Sequence, residues 1–185
     1  MAYYEQSENY SEYKHIIPKM RYSIAHYDKM SKLNKILEKN NIKYVAVAGT
    51  SLGLNRHGGI IPWDNDIDIG FVKEEWEKEE FKYANNGENH CHFGPIDCFK
   101  LTKINKNFYA GDAKTFCSVD EYNNVVKQIF GYTYIYAPFN NHQSLKERYG
   151  KNYFKIGNVN DNFHFKDNTV KNFNLNHNDL SYQLK

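Results

Sequence analysis

Between Ile16 and Asn40 the apolar residues Ile24, Tyr27, Met30, Leu33 and Leu37 recur at intervals of three and four. That spacing predicts an amphipathic helix whose apolar stripe belongs to the core and which the Asn40-Asn41 pair would end. The following run, Lys43 to Ala48, predicts a first strand packed on that helix, closed by a glycine turn at Gly49-Thr50. Ile67, Ile69 and Phe71 then alternate with polar neighbours and predict a second strand. The charged segment Lys73 to Tyr83, with Trp76 and Phe81 as its apolar anchors, is expected to form a surface helix. Asn85 to His90 is a polar turn, and Ile96 to Leu101 reads as a short strand with one acid in it. Tyr132 to Ala137 alternates as a strand stopped by Pro138, and Ser144 to Gly150 reads as a short helix with a capping-box start and a glycine stop. Residues 103–131 carry little periodic signal. Residues 1–15 are polar and tyrosine-rich, and beyond Gly157 the asparagine-rich tail offers little to pack.

Composition sets bounds on this picture. A chain of 185 residues with 41% hydrophobic and 16% aromatic content suits one domain over residues 1–185, with a core from about 24 to 153 and a polar tail from about 158. A formal net charge of +2 implies no sequence-independent nucleic-acid partner. No apolar run approaches the roughly 18 residues of a membrane span, and the N-terminus lacks the apolar core of a signal peptide, so a soluble, cytoplasmic protein is expected. Cys91, Cys98 and Cys117 contain no CxxC pair and read as reduced, partly buried thiols. A zinc site from His90, Cys91, His92 and Cys98 is conceivable, but the spacing matches no familiar pattern.

The chemistry concentrates between Ala48 and Gly70. In an extended strand, residues two apart share a face about 6 to 7 Å apart, so Asp64, Asp66 and Asp68 would line one side while Ile67 and Ile69 fill the other. Crowded carboxylates want a cation, and hard oxygen donors suit Mg²⁺ or Mn²⁺. Gly49 lets the backbone approach an anion, and a helix beginning there would aim its positive end at a phosphate, with Thr50 or Ser51 adding contacts. Arg56 and His57, between that turn and the acids, are expected to donate to phosphates. A calcium loop is the competing reading, with Asp64, Asp66 and Asp68 at its first, third and fifth positions and Glu75 at its twelfth. Ile69 stands where that loop needs glycine.

The run Gly49-Thr50-x-Leu52-Gly53-x-x-Arg56-His57-Gly58-Gly59-x-Ile61-Pro62-Trp63-Asp64-x-Asp66-Ile67-Asp68-Ile69 resembles the signature of the LicD and fukutin-related family of nucleotidyltransferase-fold enzymes. Ala48 stands where that family usually has glycine, and Asn65 where it usually has a middle aspartate. The resemblance extends from about Ile24 to Tyr153. It implies an α/β (α+β) nucleotidyltransferase-like fold with a small mixed sheet flanked by helices. It further implies metal-dependent transfer of a phosphorylated group, phosphocholine or ribitol phosphate for example, from a CDP-activated donor to a sugar or glycan hydroxyl. The family's third carboxylate lies on a later strand in an Ile-Asp-apolar-aromatic context, which Ile96-Asp97-Cys98-Phe99 fits, although Lys100 replaces the usual proline. A lone aspartate among β-formers is also unfavourable unless something binds it. The resulting expectation is Asp66, Asp68 and Asp97 as catalytic residues, Asp64 with them as metal ligands, and Gly49, Thr50, Ser51, Arg56 and His57 around the donor. Nucleotidyl transfer to a small molecule and a catalytically silent nucleotide- and metal-binding module are the alternatives.

Overall fold

The computed structural model describes residues 20–61, 64–78, 89–110, 115–159 and 171–174. Helix α1 spans Met20–Lys39. Tyr27, Met30, Leu33 and Leu37 are buried as their spacing predicts, while Ile24 is turned to solvent. Asn41 ends the helix in a left-handed conformation, φ 55°. The Ile42 and Asn41 N–H groups then close on the carbonyls of Leu37 and Glu38 at 2.8 and 3.1 Å.

Strand β1 is only Val45–Ala46, shorter than the expected Lys43 to Ala48, because the chain turns at Ala48 into helix α2, Ala48–His57. β2 covers Ile67–Val72 and β4 Ile96–Ile104, with β3, His90–His92, between them in sequence. β2 and β4 pair in parallel, Asp68 opposite Asp97, whereas β1 on β2 and β3 on β4 are antiparallel. β5, Asn107–Tyr109, and β6, Thr115–Ser118, extend the same mixed sheet, whose order is β1-β2-β4-β5-β6 with β3 branching from β4. The α+β architecture is therefore a small mixed sheet flanked by helices.

Alternation decides which face does what. Ile67, Ile69, Phe71, Ile96 and Cys98 join the α1 stripe in one core, and Ile67, Ile69 and Phe71 are fully buried. Each such side chain contributes about 1.5–3 kcal/mol, so the register is strongly pinned. A slip by one residue would drive Asp68 into that core. The opposite face carries Asp68 and Asp97 near the start of the strands and, further along, Leu101, which packs with Val45, Val47 and Phe108.

The expected helix over Lys73 to Tyr83 is one turn, α3 at Lys73–Trp76, anchored by buried Trp76. Phe81, most of the polar turn before His90 and the N-terminal stretch, expected from its composition to pack loosely, lie outside the described residues. The uninformative stretch 103–131 holds β5, β6 and α4, Val119–Asn123, which carries a true capping box of Ser118 and Glu121. It ends in β7, Val125–Phe130, a hairpin partner for β8, Thr133–Pro138. Helix α5 runs His142–Tyr149, two residues longer at its start than expected. Its Ser144 is no cap: it hydrogen-bonds buried Glu121 instead. The tail is not wholly unstructured either, since β9, Ile156–Val159, pairs with β10, Lys171–Asn174. Among the described residues no helix is long and apolar enough to cross a membrane.

Candidate active site

Helix α2 begins where the glycine turn was expected, and the acids gather around its first turn. A Cβ on Gly49 would stand 2.8 Å from Asp64 Oδ2 and 3.5 Å from Asp68 Oδ2, so only glycine leaves the carboxylates room. The Gly49 N–H donates to the Asp68 carboxylate, which places the positive end of the helix against negative charge. Asp68 is also gripped through its backbone: its N–H donates to Thr50 Oγ1 at 2.7 Å, and its carbonyl accepts from Val47 N–H at 3.1 Å. Thr50 thus positions an acid through its hydroxyl oxygen.

The three acids of the signature do not share one strand. β2 starts at Ile67, whose N–H bonds to the Pro95 carbonyl, and Asp64 and Asp66 precede it at the end of a turn and in the irregular segment that follows. There the Asp64 N–H reaches the Ile61 carbonyl at 2.8 Å, and the Asn65 N–H reaches Asp64 Oδ1 at 3.1 Å. Asn65, expected on the strand face away from the acids, is exposed in this segment, and its carbonyl accepts from His26 Nε2 at 2.5 Å. Pro62 and Trp63 lie outside the described residues. Convergence comes from tertiary pairing: one carboxylate oxygen each from Asp66, Asp68 and Asp97 fall within 4.8 Å of one another. Asp64 stands beside them, hydrogen-bonded to Asp66.

Burial raises the carboxyl of Asp64 to about 8, with the charge of Asp66 adding to the effect. Burial likewise lifts Asp68 well above the usual range, reinforced by Asp66, Asp64 and Asp97. Carboxylates that repel each other this strongly gain most from a cation, and the donor set is entirely hard oxygen. The residues present therefore fit a Mg²⁺- or Mn²⁺-class ion.

Asp97 has two imidazole partners, the histidines that the sequence offered only as part of a mixed thiol and imidazole zinc site. His92 Nδ1 donates to Asp97 Oδ1 at 2.6 Å, and His90 Nε2 lies 3.7 Å from Oδ2. Their signal was the His-x-His alternation, too short to define a strand. The mixed thiol and imidazole site is ruled out by the pleat: Cys91 and Cys98 oppose each other on the buried face, His90, His92 and Asp97 on the other.

Arg56, His57 and Ser51 are turned inward. Arg56 is buried and its Nη1 donates to the carbonyls of Tyr153 and Ile156, both at 3.1 Å. Burial draws its guanidinium down to about 10 against the pull of Tyr149 and Asp64. His57 is held well below the usual imidazole range by burial and by the Arg56 charge, so it is neutral. Ser51 Oγ accepts from the amide of buried Asn141. Tyr149, at the end of α5, is partly exposed, and desolvation raises its hydroxyl to about 12, opposed by Arg148 and assisted by the charges of Asp68 and Asp64.

A family model described as LicD/FKTN/FKRP, nucleotidyltransferase domain, matches residues 41–173, and the chain belongs to that family. It is 47% identical over 53 residues to an uncharacterised protein of Rickettsia prowazekii, covering 29% of this chain and 20% of that one. Human ribitol 5-phosphate transferase FKRP is 45% identical over 40 residues, 22% of this chain and 8% of its own length. Lipopolysaccharide cholinephosphotransferase LicD of Haemophilus influenzae is 40% identical over 43 residues, 23% of this chain and 16% of its own. The matched stretches thus cover a fifth or less of these relatives.

Proposed function

We propose that this chain carries a metal-dependent phosphotransferase site that moves a phosphorylated group, phosphocholine- or ribitol-phosphate-like, from a CDP-activated donor to a sugar or glycan hydroxyl. The observation that carries the reading is the convergence of Asp66, Asp68 and Asp97 within 4.8 Å. Support for the substrate class comes from the names of the two transferases above, one acting with ribitol 5-phosphate and one with phosphocholine.

Asp66, Asp68 and Asp97, with Asp64 beside them, would hold Mg²⁺ or Mn²⁺, which when bound supplies charge neutralisation for the donor diphosphate. The chain's own contribution is positioning. Val47 and Thr50 fix the Asp68 backbone, and the Gly49 N–H fixes its carboxylate. Asp64 and Asp66 share a hydrogen-bonded contact in which Asp64 keeps its proton until the site is charged. Asp97, on the neighbouring strand opposite Asp68, closes the site from the β4 side. Tyr149 remains protonated, its hydroxyl raised by desolvation and by the charges of Asp68 and Asp64. Arg56 acts from the interior as a fixed positive charge near Asp64, its fork engaged with backbone.

The test is release of CMP from CDP-ribitol, CDP-choline or CDP-glycerol with Mg²⁺ or Mn²⁺ and a sugar acceptor. Asp66→Asn and Asp68→Asn are expected to lower turnover by at least about a thousandfold while the domain stays folded. Turnover retained in either variant refutes the assignment. Pyrophosphate released from CTP would instead mark nucleotidyl transfer, and binding without either product a silent module.

A further inference from the structure

The sheet face that carries the carboxylates also carries two imidazoles on β3, and they meet the acids at a single residue. His90 and His92 lie two apart on a strand paired with β4, so both project to the face of Asp97, with His92 directly opposite it in register. The arrangement is partly organised. His90 stacks on Phe99 at 4.7 Å with an interplanar angle of 13°, and the two imidazoles meet edge to face at 4.4 Å. One donor atom from each of His90, His92 and Asp97 falls within a 4.8 Å sphere of mutual distances. The Asp97 carboxylate presents Oδ1 to His92 at 2.6 Å and Oδ2 to His90 at 3.7 Å.

We propose that His90, His92 and Asp97 form a second metal site, of the transition-metal class, joined to the carboxylate site through Asp97. Two imidazoles and one carboxylate form a donor set that suits Zn²⁺, Co²⁺, Ni²⁺ or Fe²⁺ and is poorly matched to Mg²⁺, which prefers oxygen and keeps its waters. Donors bound about 2.1 Å from one ion lie roughly 3 to 3.5 Å apart when adjacent. The two measured separations bracket that range. A small rotation of the exposed His92 ring widens the shorter one, and the longer one needs to shrink only slightly. Metal entry replaces the His92 Nδ1–H···Oδ1 bond, and the imidazole proton moves from Nδ1 to Nε2. Three protein donors leave open coordination positions, where a water or an acceptor hydroxyl can bind. The carboxylate-only site and this mixed site then divide the two sides of Asp97 between a hard and a borderline cation.

The site stands independently of the transfer reaction proposed above. The chelator-treated chain, held in excess Mg²⁺ to saturate the carboxylates, is titrated with Co²⁺ and read by the visible absorption of nitrogen-ligated Co²⁺. One equivalent is expected to bind. His90→Ala and His92→Ala should each weaken Co²⁺ binding by at least about tenfold, the smaller cost attached even to supporting contacts around a metal. Asp66→Asn should leave Co²⁺ binding within about threefold, although it abolishes transfer if the proposed function is right. Circular dichroism checks that each variant is folded; His92 is the more exposed of the two, while truncating His90 gives up its stack on Phe99. Absence of the Co²⁺ band in the wild-type chain, wild-type affinity in both histidine variants, or loss of binding in Asp66→Asn would each overturn the proposal.

Discussion

Thr50→Val isolates the contact that ties helix α2 to the acid-bearing strand. The substitution keeps the shape of the side chain and removes only the acceptor of the 2.7 Å bond from the Asp68 N–H. Thr50 is 3% exposed, so water cannot replace the lost partner. An orphaned buried N–H costs about 1–3 kcal/mol. In a domain of this size each kcal/mol lowers Tm by about 2–4 °C, which gives a fall of roughly 2 to 12 °C. Thr50→Ser is the control: it keeps the hydroxyl and loses one methyl, worth about 0.8 kcal/mol. Urea denaturation of both variants should show the larger loss in valine at unchanged m-value. Because the same bond aims the Asp68 carboxylate, valine should also weaken Mn²⁺ binding, followed by the paramagnetic resonance of the free ion, while serine should not. Equal stability and equal Mn²⁺ affinity in the two variants would refute this account of Thr50.

Gly49→Ala places a Cβ 2.8 Å from Asp64 Oδ2, and displacing that carboxylate should cost about tenfold in Mn²⁺ affinity, read by the same resonance titration. Ala48 sits at φ 44°, a conformation that penalises any Cβ, so Ala48→Gly should raise stability by about 1 kcal/mol in urea melts. With chelator present, the domain should lose stability as pH rises from about 4 to 8. Over that window the folded chain keeps the Asp64 proton, held up to about 8 against an ordinary 3.8, while the unfolded chain releases it. Where the folded chain holds this proton and the unfolded chain has released it, stability falls by about 1.4 kcal/mol per pH unit, and solvent at Asp64 narrows that window without changing the slope. Mn²⁺ should offset the loss at the alkaline end. A Tm that is flat or rising from pH 5 to 8 in chelator excludes it.

Much of the fold was legible where one period spans several turns or a whole strand. The α1 stripe is buried at Tyr27, Met30, Leu33 and Leu37, and Asn41 provides the left-handed stop. Alternation in β2 sorts Ile67, Ile69 and Phe71 from Asp68 without ambiguity. Strand length was not legible, because pairing decides it. β1 has the propensity for six residues but a partner for only two, Val45 opposite Gly70 and Ala46 opposite Ile69. The same limit placed Asp64 and Asp66 ahead of the strand rather than in it. The inward turn of Arg56, His57 and Ser51 was equally invisible, since polar side chains with donors look alike in sequence whether they meet a ligand or the backbone. The carbonyls of Tyr153 and Ile156, about a hundred residues downstream, show where Nη1 of the Arg56 fork is engaged.

Residues 90–98 show how far spacing can mislead when the pleat is left out. Two cysteines, two histidines and an aspartate within nine positions suggest one ligand cluster, and they are indeed neighbours in space. Antiparallel pairing of β3 with β4 sets Cys91 against Cys98 and His92 against Asp97, and successive residues of a strand point to opposite faces. The thiols therefore enter the core with Ile67 and Ile69, while the imidazoles go with the acids. Sequence proximity alone allows a mixed thiolate and imidazole zinc centre, although its spacing matches no familiar pattern. The register instead hands the nitrogen donors to Asp97, the carboxylate that also belongs to the Asp66 and Asp68 group, so the chemistry of this face depends on which residue of β3 stands opposite Asp97.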